Sequence, residues 1–185
     1  QLKESDPRFS EKLKIKLIGP VDRSIFQAIE KHGLSENLEH IKNLPHQEVI
    51  PHLQRSAMLL LPLNDTPNIS GVVPGKLFEY MGAERPILCI GKTDGDAARI
   101  LLEANAAEVI DFKDGAKMKT VLESAFDKFQ DGLLEVKNSN YRKYGRDKLA
   151  GQICNVLNEI TSAWAALGVY GNTRIDSTVP PIPEL

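Results

Sequence analysis

Apolar residues along this chain come in short runs, separated by stretches with helical spacing. Leu13-Lys14-Ile15-Lys16-Leu17-Ile18 alternates, then runs apolar into Gly19-Pro20, which predicts a strand. Asp22 to His32 places Ile25, Phe26 and Ile29 on one face and meets Gly33, a helix and its stop. Leu38–Leu44 reads as a second strand with poor alternation, and Gln47–Arg55 as a helix entered after Pro45. Ala57–Pro62 is a Leu-rich strand, Leu63–Val73 a loop, Pro74–Gly82 a short helix and Pro86–Ile90 a buried strand closed by Gly91. Asp96–Asn105 predicts a helix with Asp94 or Asp96 as its cap, and Ala107–Ile110 a short strand. Gly115–Gln130 predicts a helix with Met118, Val121, Leu122, Ala125 and Phe129 toward the core. Tyr141–Ile160 predicts a longer one with a core stripe of Leu149, Ile153, Val156, Leu157 and Ile160.

Strands alternating with helices predict an α/β fold: a Rossmann-like, three-layer α/β/α arrangement around a mainly parallel sheet. Apolar strands fit burial on both faces. Such sheets bind ligands beyond the C-terminal ends of their strands. The Leu63–Val73 loop occupies that kind of position, and loops long for their fold are more often functional than filler. The expected organisation is one domain over residues 1–160 and a C-terminal extension over 161–185, the latter rich in Pro and carrying Trp164 and Tyr170.

Composition narrows the function classes. The chain has 185 residues, 42% hydrophobic and 26% charged, with a formal net charge of −2. That balance gives no electrostatic case for nucleic acid or an acidic lipid surface. No run approaches the length of a membrane span, and the longest apolar run, Ala57–Leu61, is strand length. The polar start Gln1–Ser5 has no signal-peptide pattern and suggests a piece cut from a longer chain. Cys89 and Cys154 lack metal-ligand spacing and fit reduced, buried core thiols of a cytosolic protein, a disulfide being the less favoured reading.

The stretch with the most chemical content is Pro74-Gly75-Lys76-Leu77-Phe78-Glu79-Tyr80-Met81-Gly82-Ala83-Glu84-Arg85-Pro86-Ile87-Leu88. Pro74 suits the first helical position, where its missing N–H is not needed. Lys76 and Glu79 are three apart and share a face. A cation in the first turn is unfavourable by roughly 0.3–1 kcal/mol unless an anion sits at the helix tip. The pattern therefore points to a phosphate site with a carboxylate one turn further in.

These residues also carry a resemblance. Pro-x-Lys-x-x-Glu-Tyr followed by x-Pro-Ile-Leu resembles the C-terminal, donor-binding half of group 1 (family 4-like) retaining glycosyltransferases of the GT-B fold. Leu17-Ile18-Gly19-Pro20 looks like that family's strand-then-Gly turn, Asn43-Leu44-Pro45-His46 like the turn against the nucleotide base, and Ser56–Pro62 like the strand leading to the active loop. The resemblance spans about residues 13–160. It implies that Glu79 contacts the ribose hydroxyls and Lys76 the diphosphate, as catalytic residues. It also implies that Gly19, Leu44, Pro45, Asn68, Gly71, Val72, Val73, Pro74 and Gly75 bind substrate. The implied reaction is metal-independent, retaining glycosyl transfer from a UDP- or GDP-sugar in polysaccharide biosynthesis, with no cofactor and no metal site. The implied partners are the donor and an N-terminal acceptor lobe of the same protein, without nucleic acid; a homodimer stays open. The expected location is cytoplasmic, with peripheral membrane attachment through the absent lobe as an alternative. Residues 1–185 alone are expected to bind donor without turnover.

The sequence departs from the family pattern in three ways. The family's two Glu are separated by seven residues, and with Glu79 as the second, Gly71 takes the place of the first. The family's basic phosphate-binding pair, upstream of Leu13, has no equivalent, and neither does the acceptor lobe. Gly71 keeps alive a non-catalytic GT-B-like interaction module; a nucleotide-sugar epimerase is a further alternative. Plainer readings also stand. Lys76 and Glu79 would make an ordinary surface ion pair, Gly71 and Gly75 simple turn residues, Asp94 and Asp96 helix caps. His40, His46 and His52 repeat every six residues, a register that does not converge on one metal, and read as surface side chains. Trp164 and Tyr170 read as packing anchors, and Tyr141–Tyr144 with Arg146 and Lys148 as a basic, aromatic helix start.

Overall fold

The computed structural model describes residues 2–136 and 140–166, with side chains described to residue 163. The chain divides into two units, 1–139 and 140–185. In the first, α1 (Leu2–Ser5) and α2 (Pro7–Lys12) lead into β1 (Ile15–Ile18), α3 (Arg23–Lys31), β2 (Leu38–Ile41), α4 (His46–Arg55) and β3 (Leu59–Pro62). A 3-10 turn at Ile69–Gly71 precedes α5 (Lys76–Gly82), β4 (Ile87–Ile90), α6 (Asp96–Glu103), β5 (Ala107–Ile110) and α7 (Gly115–Gln130). The second unit holds a 3-10 turn at Tyr141–Tyr144 and α8 (Arg146–Ala166), which runs unbroken past the 160/161 boundary expected from sequence. The expected contribution of Trp164's side chain, and all of residues 167–185 with Tyr170, fall outside the described residues.

The fold is α/β with parallel strands. β1 pairs with β2 as a two-stranded sheet, and β3, β4 and β5 pair in that order as a three-stranded one. In the second sheet Pro62 lies beside Ile90, and Ile90 beside Ile110, so all three strands end level. The loops after β3, β4 and β5 therefore leave from one edge, where parallel sheets place their ligand sites.

The core belongs to the three-stranded sheet. Every buried apolar side chain among the described residues lies between Leu59 and Ile110. Leu59 and Leu61 of β3, Ile87, Leu88 and Cys89 of β4, and Val109 and Ile110 of β5 are buried, as are Leu77 and Met81 of α5 and Ala97, Ala98, Ile100 and Leu101 of α6; α5 packs beside β3 and α6 beside β5. At α2, Phe9 instead packs edge-on against Phe126 of α7 with ring centres 5.2 Å apart, and Lys12 Nζ donates to Gln130 at 2.9 Å.

Several expected core positions are exposed. Ile25 of α3 is 45% exposed, while Phe26 is half-buried with its ring 5.0 Å from His40. In α7 Met118, Val121, Leu122 and Ala125 are half-buried, and Phe129 is exposed because Phe126 takes the inward position. The α8 stripe of Leu149, Ile153, Val156, Leu157 and Ile160 is 41–61% exposed; within its unit, among the described residues, α8 packs with the 141–144 turn. Capping also differs from the sequence reading. Asp22 accepts from Ser24 N and Asp114 from Lys117 N, but α6 starts after Gly95 with no side-chain cap, and Asp96 pairs with Arg99 at 3.1 Å.

Two outcomes follow from this core. Leu77→Ala empties a fully buried position and is expected to cost about 2–5 kcal/mol in denaturant unfolding, whereas Leu60→Ala, at a 52% exposed position, costs far less. Burial pushes the Cys89 thiol up to about 11, so alkylation by iodoacetamide at pH 8 is expected to modify half-buried Cys154 and spare Cys89 until the chain unfolds. The associated stability is full below the unfolded thiol value and is lost as pH rises through about 11.

Candidate functional site

The loop after β3 is a hydrogen-bonded structure. Ile69 N donates to Thr66 O, Gly71 N to Asn68 O and Val72 N to Ile69 O, and Ile69 is only 3% exposed, so its side chain anchors the turn. Thr66 Oγ1 donates to the Asn68 side-chain oxygen at 3.0 Å, which commits Asn68 to the loop. Beyond the turn the backbone groups are unsatisfied: the N–H groups of Val73, Gly75 and Lys76 meet no acceptor among the described residues. Unpaired donors are expected at a helix start, and they make it receptive to an anion.

α5 begins at Lys76, two residues later than the expected Pro74 start. Pro74 is outside the helix, Gly75 is the cap residue with helical φ −55° and ψ −36°, and Pro74 O accepts from Leu77 N at 3.0 Å. Leu77 and Met81 are i and i+4 and are both buried. At 100° per residue, Lys76 and Glu79 lie about 60° apart on the opposite side of the helix. Both are exposed, and no ion pair or hydrogen bond joins them. The surface ion pair that would give them an ordinary role is therefore not formed. Tyr80, half-buried beside them, has its hydroxyl pushed up by burial and, secondarily, by the charge of Glu79.

Neither Gly71 nor Gly75 is required by the chain itself. Neither has a positive φ, and a Cβ at either would meet nothing within 4 Å. Gly95 is different: a Cβ there would lie 3.3 Å from Ser70 O and 3.4 Å from Ser70 Cα, so the 69–71 turn rests on the entry to α6. The same turn is held by Lys92, whose Nζ donates to Ser70 Oγ at 3.2 Å. Neither Ser70 nor Lys92 was singled out by sequence. The signal for Lys92 is positional: it follows Gly91 at the end of β4, beside the loop that leaves β3.

The other residues implied by the resemblance lie in the connections that follow β1 and β2. Gly19 has φ +100°, which only glycine adopts freely. Its N–H donates to Ile41 O at 2.9 Å and its carbonyl accepts from His40 Nε2 at 3.0 Å, so both backbone groups serve the fold. His40 is thus a half-buried structural residue and not a surface one. Leu44 is half-buried, and Pro45 precedes α4 with its carbonyl accepting from Glu48 N at 2.9 Å. No hydrogen bond or ring contact links Gly19, Leu44 or Pro45 to residues 68–79 among the described residues; Val72, Val73, Pro74 and Gly75 adjoin Lys76 along one loop. Among the described residues no group of His, Cys, Asp or Glu is placed to hold a metal ion, and no helix is long and apolar enough to cross a membrane.

No family model, curated protein or solved structure matches the chain.

The glycine contrast is checked by thermal unfolding of three variants. Gly75→Ala, compatible with the helical backbone, is expected to stabilise by about 0.4–1 kcal/mol, and Gly71→Ala to leave stability within about 0.5 kcal/mol. Gly95→Ala is expected to destabilise, because backbone atoms of Ser70 must move.

Proposed function

We propose that this chain is the donor-nucleotide lobe of a GT-B-type glycosyltransferase, binding a nucleoside diphosphate sugar at the turn between β3 and α5. The observation that carries the reading is the exposed turn of unsatisfied amides at residues 73, 75 and 76, followed by Lys76 and Glu79 on one outward face with no bond to each other. It lies in the loop that follows the parallel strand β3, and a Cβ at Gly71 or Gly75 would meet nothing within 4 Å.

The proposed chemistry uses position and charge. As the glycosyl group leaves, negative charge grows on the nucleotide diphosphate. Amides of the turn and the Lys76 ammonium stabilise it, and are oriented before the reaction begins. Glu79 accepts hydrogen bonds from the ribose hydroxyls and fixes the nucleotide along α5. The retaining outcome rests on the family resemblance.

Calorimetric titration of residues 1–185 with UDP, GDP and ADP tests this. One nucleotide is expected to bind saturably, and Glu79→Ala is expected to weaken it about tenfold or more, the loss of a charged hydrogen-bonding partner. Binding that survives removal of both Lys76 and Glu79 contradicts the site. The second reading, a GT-B-like interaction module without donor chemistry, is favoured by Gly71 in the place of a carboxylate. It expects no nucleotide effect at all, from folded protein.

A further inference from the structure

We propose that α8 and the turn before it form a membrane-surface element, which lies on a bilayer of anionic lipid with its apolar side turned into the acyl boundary. The formal charge of −2 is an average over the chain, and the start of the second unit departs from it. Between residues 140 and 148 stand four cations, Arg142, Lys143, Arg146 and Lys148, against one acid, Asp147. All four cations are exposed. Among the described residues Arg142, Arg146 and Lys148 make no ion pair, and the Lys143 ammonium sits 4.9 Å from the centre of the Tyr144 ring.

Past Lys148 the helix changes character. From Leu149 to Ala163 the only charged residue is Glu159. Leu149, Ile153, Val156, Leu157 and Ile160 recur at helical spacing and fall within about 100° of the circumference. Each is 41–61% exposed among the described residues. The opposite side carries Gly151, Asn155, Asn158 and Ser162, all neutral. Arg146 lies one turn before Leu149, so a cation continues the apolar side into the basic turn. This combination selects a lipid surface over a protein. A protein interface concentrates its energy in aromatic or Arg anchors seated in pockets, whereas this stripe is five aliphatic side chains. An interfacial helix needs an apolar side to enter the acyl boundary and cations to meet headgroup phosphates, and both are present in sequence with one another. Tyr141 and Tyr144, half-buried at the basic turn, are of the amphipathic type that settles at headgroup level. The helix lies on the bilayer and does not cross it: among the described residues no helix is long and apolar enough to span.

The test is flotation of residues 1–185 with vesicles of phosphatidylcholine alone and of phosphatidylcholine mixed with phosphatidylglycerol, at low and high salt. Wild type is expected to bind the mixed vesicles about tenfold more tightly than the neutral ones, and to lose that preference at high salt. The combined variant Arg142→Gln, Lys143→Gln, Arg146→Gln, Lys148→Gln is expected to lose the preference while unfolding at the wild-type temperature, since these side chains are exposed. Ile153→Asp, at the most exposed position of the stripe, is expected to weaken binding to mixed vesicles about tenfold or more with helix content unchanged by circular dichroism. No association of folded wild type with anionic vesicles overturns the proposal. So does association that ignores lipid charge, and so does association unchanged in both variants. Self-association that Ile153→Asp abolishes, without vesicle binding, assigns the apolar side to a second copy and overturns the proposal as well.

Discussion

Burial of α5 and α6 against the β3-β4-β5 sheet is the interaction on which the rest of this protein depends. A seven-residue helix such as α5 does not persist in water by its own hydrogen bonds. It is held because Leu77 and Met81 enter the core, at 0% and 2% exposure. At roughly 25 cal/mol per Å² of apolar surface removed from water, two such side chains outweigh anything the helix surface contributes. The same two residues set the rotation of the helix. With positions 77 and 81 inward, positions 76 and 79 have to face outward, so the chemistry of the candidate site is aimed by the packing beneath it.

The strands impose a second order on the site. Parallel pairing in register brings the ends of β3, β4 and β5 to one edge, and the connections at that edge become neighbours whatever their lengths. The long loop after β3 could have been loose. It is pinned instead at Ile69 by burial, at Ser70 by Lys92 and by the bare backbone of Gly95. Past the pinned part, the amides of Val73, Gly75 and Lys76 meet no acceptor among the described residues, and a Cβ at Gly75, or at Gly71 within the turn, would meet nothing within 4 Å. A rigid base under a small open turn is a suitable design for receiving a phosphate group, since little order remains to be imposed on binding.

Much of this was legible in the sequence, and the reasons differ by element. The order of strands and helices followed from apolar periodicity, which survives tertiary context because each element needs one buried face. That Lys76 and Glu79 share a face was readable from their three-residue spacing, whereas Leu77 and Met81 as the buried pair beneath them emerge only from the structure. What failed were choices between faces and partners. Phe129 and Phe126 are equally apolar neighbours on α7, and only the arrival of Phe9 selects Phe126. The stripe on α8 has core composition, yet it is exposed among the described residues. His40 looked like a surface residue, because its hydrogen bond is to a glycine twenty-one positions away, made adjacent by the β1-β2 register. Lys92 escaped for a similar reason: its partner Ser70 lies across a strand pair, and no local motif announces the contact.

The central claim is that the turn from Gly71 to Lys76 receives a nucleoside diphosphate. The most direct measurement is a backbone amide NMR titration of residues 1–185 with the nucleotide. The account predicts that the amides of Val73, Gly75 and Lys76 shift first and furthest, because their N–H groups meet no acceptor among the described residues, with Ser70 following. Saturable shifts confined to other surfaces, or no shifts from well-folded protein at millimolar nucleotide, would contradict it.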